Sequence, residues 1–241
     1  MLLSWLFPRG KACAWCGRPV HQGFFCTSCR QQLQAWQQHY HPCLYCGRLL
    51  PLGKQAVCSQ CREELPPFYK ARAVGPYQGL LKEMIWALKY QGRRSLANPL
   101  GRLLAGVVVR ELGPGRPDLV IPVPLTSTRL RVRTFNQAEL LALALGQELG
   151  LPVNGEVMFR VRETAPQVNL SRRSRWQNLG GAFQVTAPGK ITGRRLLLVD
   201  DVLTTGATAS ACTNALLAAG AAGVAVITLA TGIENLPCFS P

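Results

Sequence analysis

The fourteen residues LLLVDDVLTTGATA, Leu196 to Ala209, decide how the rest of the chain is read. Four bulky aliphatic residues in succession, with no polar alternation, suit a strand buried on both faces, as in a parallel sheet. The strand runs into two carboxylates, Asp200 and Asp201, and then Thr204-Thr205-Gly206-Ala207-Thr208 opens a helix. Backbone N–H groups at such a turn and helix start form an anion site, and the threonine hydroxyls add donors. Gly206 lets the backbone approach a phosphate closely. Asp200 and Asp201 would repel a bare phosphate, so the pair fits a ligand whose hydroxyls lie near its phosphate, as in a ribose 5-phosphate. No Gly-Lys follows, which excludes a Walker loop. An ordinary strand, turn and capped helix with a surface Asp pair would explain an isolated Asp-Asp; the whole string argues against it.

Working outward, helices and short apolar strands alternate from about residue 79. GLLKEMIWALKY places Leu81, Met84, Ile85 and Leu88 on one helical face, and LANPLGRLLAGVVVREL reads as a second helix after its proline. DLVIPVPL (118–125) is a buried strand ended by prolines, NQAELLALALGQELG (136–150) a helix stopped by Gly150, and VAVITLA (224–230) a strand after the glycine stop at Gly220. This order predicts an α/β fold, a parallel sheet wound with helices, with ligands at the carboxyl ends of its strands. Val202 to Ile233 carries no charge, but its glycines and recurring Thr, Ser and Asn favour helix, stop and strand over one membrane span.

Upstream lies a different composition. Eight of the ten cysteines form four C-x-x-C pairs, Cys13/Cys16, Cys26/Cys29, Cys43/Cys46 and Cys58/Cys61. CAWCGRPV with FFCTSCR is echoed by CLYCGRLL with AVCSQCR, so the module is an internal repeat. Four thiolates per repeat predict two structural Zn²⁺ sites, paired sequentially rather than interlocked. An iron–sulfur cluster uses the same ligands, and a disulfide framework is disfavoured in a cytosolic chain. His21, His39 and His41 are expected at the surface, and Cys212 in a helix interior; Cys212 and Cys238 have no partners at ligand spacing. Pro66-Pro67 suggests a hinge, giving a double zinc ribbon over 1–65, a linker over 66–78 and the α/β domain over 79–241.

The chain has 241 residues with 27 Lys+Arg against 12 Asp+Glu, a formal charge of +15, and 48% hydrophobic residues. That composition excludes disorder and points to polyanionic partners. The first seven residues are apolar but lack a cationic start, so no export signal is expected and the chain is read as cytoplasmic. The basic residues concentrate in 71–125 and in 160–195, the latter holding 8 basic residues against 1 acidic just before the Asp pair.

LLLVDDVLTTGAT resembles the phosphoribosyl-diphosphate (PRPP) motif of type I phosphoribosyltransferases. Together with the cysteine repeat, IPVPLTSTRLRVRTFNQ (121–137) and RETAPQVNLSRRSRWQNLGGAF (162–183), the chain resembles the ComF (GntX-like) family over nearly its whole length. That resemblance implies a zinc ribbon joined to a phosphoribosyltransferase domain and a link to DNA uptake or use. It implies that Asp200 and Asp201 hold the ribose hydroxyls, that Thr204, Thr205, Gly206, Ala207 and Thr208 hold the 5-phosphate, and that Arg129 and Arg133 meet the diphosphate. A hood over 160–183, with Arg160, Arg162, Gln167, Arg172, Arg173, Arg175 and Asn178, would close over the substrate, and Mg²⁺ would accompany PRPP. Thr134 stands where the family often has glycine, and Asn136 would either contact ligand or cap the following helix.

The implied reaction displaces diphosphate from C1 of PRPP by an acceptor that the sequence leaves open, as it does the catalytic residue and the oligomeric state. The phosphate loop has no carboxylate to act on a purine base, and no N-terminal nucleophilic cysteine supports glutamine amidotransfer. The alternative is a non-catalytic, PRPP-responsive factor that binds single-stranded DNA or docks on the DNA-uptake machinery.

Overall fold

The computed structural model describes residues 12–112, 117–161 and 181–234. Its centre is a four-stranded parallel sheet in the order β3-β8-β7-β4, formed by β3 (Lys70–Pro76), β4 (Leu119–Pro122), β7 (Arg195–Leu203) and β8 (Gly223–Thr231). Side chains alternate along each strand, so both faces need cover. On one face Leu197, Val199, Ala225 and Ile227 pack against α3 (Gly79–Tyr90), α4 (Ala97–Glu111) and α6 (Gln137–Leu149). On the other, Leu196, Leu198, Val224 and Val226 pack with Cys212 and Leu216 of α7 (Ala207–Ala218). This two-sided burial is why 196–199 is uniformly aliphatic.

Two boundaries differ from the sequence reading. The stretch 66–78, read as a linker, contains β3, which pairs along its length with β8. Lys70 and Arg72 broke the apolar pattern there, and a parallel partner about 150 residues downstream leaves no local mark. Arg72 is buried nonetheless, its charge met by Glu111 at 3.1 Å. The strand that runs into the two carboxylates continues past them through Leu203, so the Asp pair lies inside β7 and the turn begins later. The uncharged run 202–233 divides into the end of β7, α7 and β8, and no helix among the described residues is long and apolar enough to cross a membrane.

The two cysteine repeats sit differently on this frame. In the first, Cys13, Phe25 and Cys29, with Leu33 of α1 (Thr27–Gln34), join the core beside α3 and α4, and the Trp36 indole donates to the Val74 carbonyl of β3 at 3.1 Å. The second repeat, with the β1 (Tyr40–Pro42) and β2 (Leu49–Pro51) hairpin and α2 (Ser59–Glu63), is bonded to the carboxyl end of the sheet. Leu49 exchanges backbone bonds with Gly232 and Glu234 just past β8, at 3.0 and 2.8 Å. The Glu234 carboxylate accepts from Ser59 N–H at 2.7 Å, and the Arg72 guanidinium donates to the carbonyls of Cys43 and Leu44.

Candidate functional site

The cysteines form two tetrads, Cys13/Cys16/Cys26/Cys29 and Cys43/Cys46/Cys58/Cys61, with the sulfurs of each within 4.8 Å of one another. Four thiolates around a tetrahedral Zn²⁺ at ~2.3 Å would be ~3.8 Å apart. The observed separations of 3.7 Å for Cys16–Cys26, 3.8 Å for Cys16–Cys29 and 3.5 Å for Cys46–Cys58 fit that edge. Pairing is therefore sequential, one tetrad per repeat. Hydrogen bonds among these sulfurs hold the Cys43 thiol below the usual range and push the Cys46 and Cys61 thiols above it, so the tetrad titrates as one coupled group.

At the carboxyl end of the sheet the Asp pair divides. Asp201 is only 5% exposed and meets Lys89 Nζ of α3 at 2.6 Å, an ion pair with both side chains buried. Asp200 lies toward α7, where its charge adds to the burial that pushes the Cys212 thiol up. Burial first, and the Asp201 charge second, push the Asp200 carboxyl up to about 8, although Asp200 Oδ1 accepts from Asp201 N–H at 2.8 Å. One carboxylate thus has a resident cation, while burial and its neighbour's charge favour the protonated form of the other.

Past Leu203 the chain turns through Thr204-Thr205-Gly206, and Gly206 precedes α7 with φ of 80°. That left-handed conformation is why glycine stands there. The first N–H groups of α7 have no carbonyl partners within the helix; Thr205 Oγ1 accepts from Ala207 N–H at 3.4 Å. The opposite side of the turn is held by Arg48 of the second repeat, whose Nη2 donates to the Thr204 carbonyl at 3.2 Å.

Of the two proposed diphosphate cations, both on α5 (Ser127–Arg133), Arg129 has an exposed side chain. Arg133 is engaged: it donates to Tyr90 Oη at 3.1 Å and Gln137 Oε1 at 3.0 Å, and stacks over the Tyr90 ring. The last turn of α3 therefore touches both halves of the site, Lys89 meeting Asp201 and Tyr90 meeting Arg133. Thr134 ends α5 with φ of 63°, the conformation a glycine would take without strain, and Arg94 donates to its hydroxyl at 2.7 Å. Asn136 is a cap: its Oδ1 accepts from Ala138 N–H at 3.0 Å, while its amide donates to the Val123 carbonyl.

Arg160 ends β5 (Met158–Arg160), which pairs antiparallel with β6 (Phe183–Val185), and its guanidinium lies over the Phe183 ring. Arg160 and Phe183 are direct partners, so the two ends of the expected hood are held side by side. Arg162, Gln167, Arg172, Arg173, Arg175 and Asn178 lie outside the described residues, as does Cys238.

Two residues escaped the sequence reading. Lys89 follows Ile85 by four positions and so falls on the apolar face of α3; a lysine on that stripe was a legible sign of a buried partner. Arg48 had no such sign, because Arg18 holds the same place in the first repeat and is exposed.

The double zinc ribbon domain family model matches residues 2–62. The "DNA utilization protein YhgH" of Salmonella typhi is 36% identical over 221 residues, covering 89% of this chain and 94% of the relative. The "Competence protein F" of Haemophilus influenzae is 32% identical over 203 residues, covering 81% of this chain and 86% of the relative. Among solved structures, a glutamine PRPP amidotransferase from B. subtilis complexed with ADP and GMP aligns with a TM-score of 0.39 and 23% identity over 56% of this chain and 26% of that one.

Proposed function

The chain belongs to the ComF-like family of the competence and DNA-utilisation proteins, and from that premise we propose that it binds PRPP at the carboxyl end of its sheet and transfers the phosphoribosyl group to an acceptor. The observation that carries this reading is the order along β7 and α7: a carboxyl held up to about 8 by burial, a second carboxylate held by Lys89, then a left-handed glycine opening a helix. Hydroxyl recognition and phosphate recognition stand five residues apart on one continuous backbone.

In this reading the ribose hydroxyls donate to Asp200 and to the Asp201 oxygen that Lys89 leaves available. Thr204, Thr205, Gly206, Ala207 and Thr208 receive the 5-phosphate. Arg129 supplies a mobile cation to the diphosphate, and Arg133 supplies one fixed by Tyr90. Mg²⁺ would neutralise diphosphate charge, and Asp200 and Asp201 carry the oxygen ligands such a hard cation takes. An acceptor lone pair forms the new bond to C1 as the C1–O bond to diphosphate breaks, both electrons leaving with the diphosphate. Arg160 and the 162–183 residues would exclude water from that centre.

The test is calorimetric titration of Mg-PRPP into the zinc-loaded chain, repeated with Asp200→Asn and with ribose 5-phosphate. Saturable binding that weakens at least tenfold in the variant is expected; equal binding by both chains would remove the assignment. Release of diphosphate in the presence of an acceptor panel then separates transferase from PRPP-responsive binder.

One feature favours a second, compatible role in single-stranded DNA binding. A cleft between the first repeat and α4 has an apolar floor that includes Phe25, Leu33 and Val107, with Phe24, Arg30, Arg102 and Arg110 also lining it. Arginines beside an aromatic ring suit phosphates and stacked bases. Affinity for an oligonucleotide should fall steeply with salt and fall further in Arg30→Ala/Arg110→Ala. Salt-independent binding would exclude this role.

A further inference from the structure

The two repeats share the sequence Cys-Gly-Arg, at 16–18 and 46–48, but the fold uses them differently. Arg18 is exposed, whereas Arg48 is 9% exposed and reaches across from the second tetrad to the Thr204 carbonyl. The same asymmetry holds one residue earlier. A Cβ on Gly47 would stand 2.5 Å from the Ala71 carbonyl oxygen, while one on Gly17 would meet nothing within 4 Å. The second knuckle is thus pressed against β3, and Arg48 spans from it to the turn after β7. Cys46, Arg48, Gln60 and Cys61 line one side of a small cleft whose other side is Thr204, Thr205, Gly206 and Ser210.

The peptide geometry gives this contact a consequence. In a trans peptide the C=O of one residue and the N–H of the next point in opposite directions. With the Thr204 carbonyl turned to the Arg48 guanidinium, the Thr205 N–H is turned away from the second repeat, toward the open side of the 204–208 turn. A cation on the carbonyl also polarises the unit and strengthens that N–H as a donor. We propose that Arg48 is a positioning residue for the 204–208 turn, so that the metal at Cys43/Cys46/Cys58/Cys61 and an anionic ligand at the turn stabilise each other, while the metal of the first tetrad does not take part. The assignment of a phosphate to the turn rests on the PRPP reading; the Arg48 contact itself does not.

Linkage makes the coupling reciprocal. Holding Arg48 in place strengthens ligand binding, and bound ligand, by fixing the turn that Arg48 grips, slows metal loss from the second tetrad alone. The first tetrad serves as an internal control within the same chain.

The experiment uses the full zinc-loaded chain and the variants Arg48→Met, Arg48→Lys and Arg18→Met. Hydrogen exchange of the 203–210 amides is measured first, without ligand. Arg48→Met should exchange faster there, with Arg48→Lys intermediate and Arg18→Met unchanged; equal exchange in all four chains would overturn the proposal whether or not PRPP binds. Mg-PRPP affinity should then fall about tenfold in Arg48→Met, the loss of one charge-assisted bond, and stay constant in Arg18→Met. Zinc release to a chromogenic chelator should slow for one of two equivalents when Mg-PRPP is present. Slowing of both equivalents, or of neither while binding is measured, would overturn the coupling. Failure of the parent chain to bind Mg-PRPP would count against the PRPP reading alone, leaving the exchange result to judge Arg48.

Discussion

Lys89 of α3 and Asp201 of β7 form an ion pair at 2.6 Å with side-chain exposures of 5% and 7%, while the adjacent Asp200 has no such partner among the described residues. Identical neighbours in sequence therefore have different energetics. Removing one member of a buried pair strands the other charge, at a cost of about 3–5 kcal/mol. Removing a carboxyl that burial already disfavours has no such penalty.

The two asparagine variants should consequently diverge. Asp201→Asn leaves Lys89 buried without its counterion and should lower stability by about 3 kcal/mol or more. Asp200→Asn should leave the ligand-free chain as stable as its parent, or more so, at neutral pH. Urea unfolding of both variants measures this, and equal losses would contradict the asymmetry.

Asp200 also predicts a pH dependence. Its carboxyl keeps its proton up to about 8 in the folded chain, whereas an unfolded Asp loses it near ~4. Between those values the folded state holds the extra proton, so this group's contribution to stability falls as pH rises, by at most about 1.4 kcal/mol per unit. Unfolding curves from pH 5.5 to 8.5 should show a decline that Asp200→Asn flattens. The stability advantage of the asparagine variant should grow steadily from pH 5.5 and reach its full size near pH 8.5.

Gly47 and Gly17 offer a third contrast. Both have positive φ, 69° and 75°, so alanine is strained at each. Only at Gly47 does the new Cβ collide with backbone, the Ala71 carbonyl oxygen at 2.5 Å. Gly17→Ala should cost about 1–2 kcal/mol. Gly47→Ala should cost clearly more, because the second repeat must lift from β3, and it should loosen the Arg48 contact with it. Thermal unfolding of both variants checks the ranking.

These contrasts mark what the sequence could and could not tell. The aliphatic run 196–199, the cysteine spacing and the turn at 204–208 are local patterns, and each led to the element found. β3 was missed because Arg72 interrupts its apolar pattern while being neutralised by Glu111, a partner far along the chain. The Asn136 cap was legible as one of two readings, since capping is decided by the next few residues. Arg48 was not legible at all: the repeat makes it look like Arg18, and only the docking of the second tetrad on the sheet distinguishes them. Long-range contacts of this kind leave no periodicity to read.

Metal removal should show the same docking on the scale of the whole chain. The first tetrad contributes Cys13 and Cys29 to the core beside α3 and α4, and the second is bonded to β3 and to the segment after β8. Each metal therefore supports packing on the α/β domain as well as its own knuckles. Cys61→Ser should leave one zinc per chain, and the thermal transition of the α/β sheet should fall with it, because Arg72, Leu49 and Glu234 lose ordered partners together. Stripping both metals with chelator should lower stability by several kcal/mol, a fraction of what an isolated zinc site contributes to a small domain. Metal analysis alongside calorimetry tests this. A sheet transition unchanged in Cys61→Ser, with one zinc lost, would mean that the second repeat rests on the sheet without stabilising it.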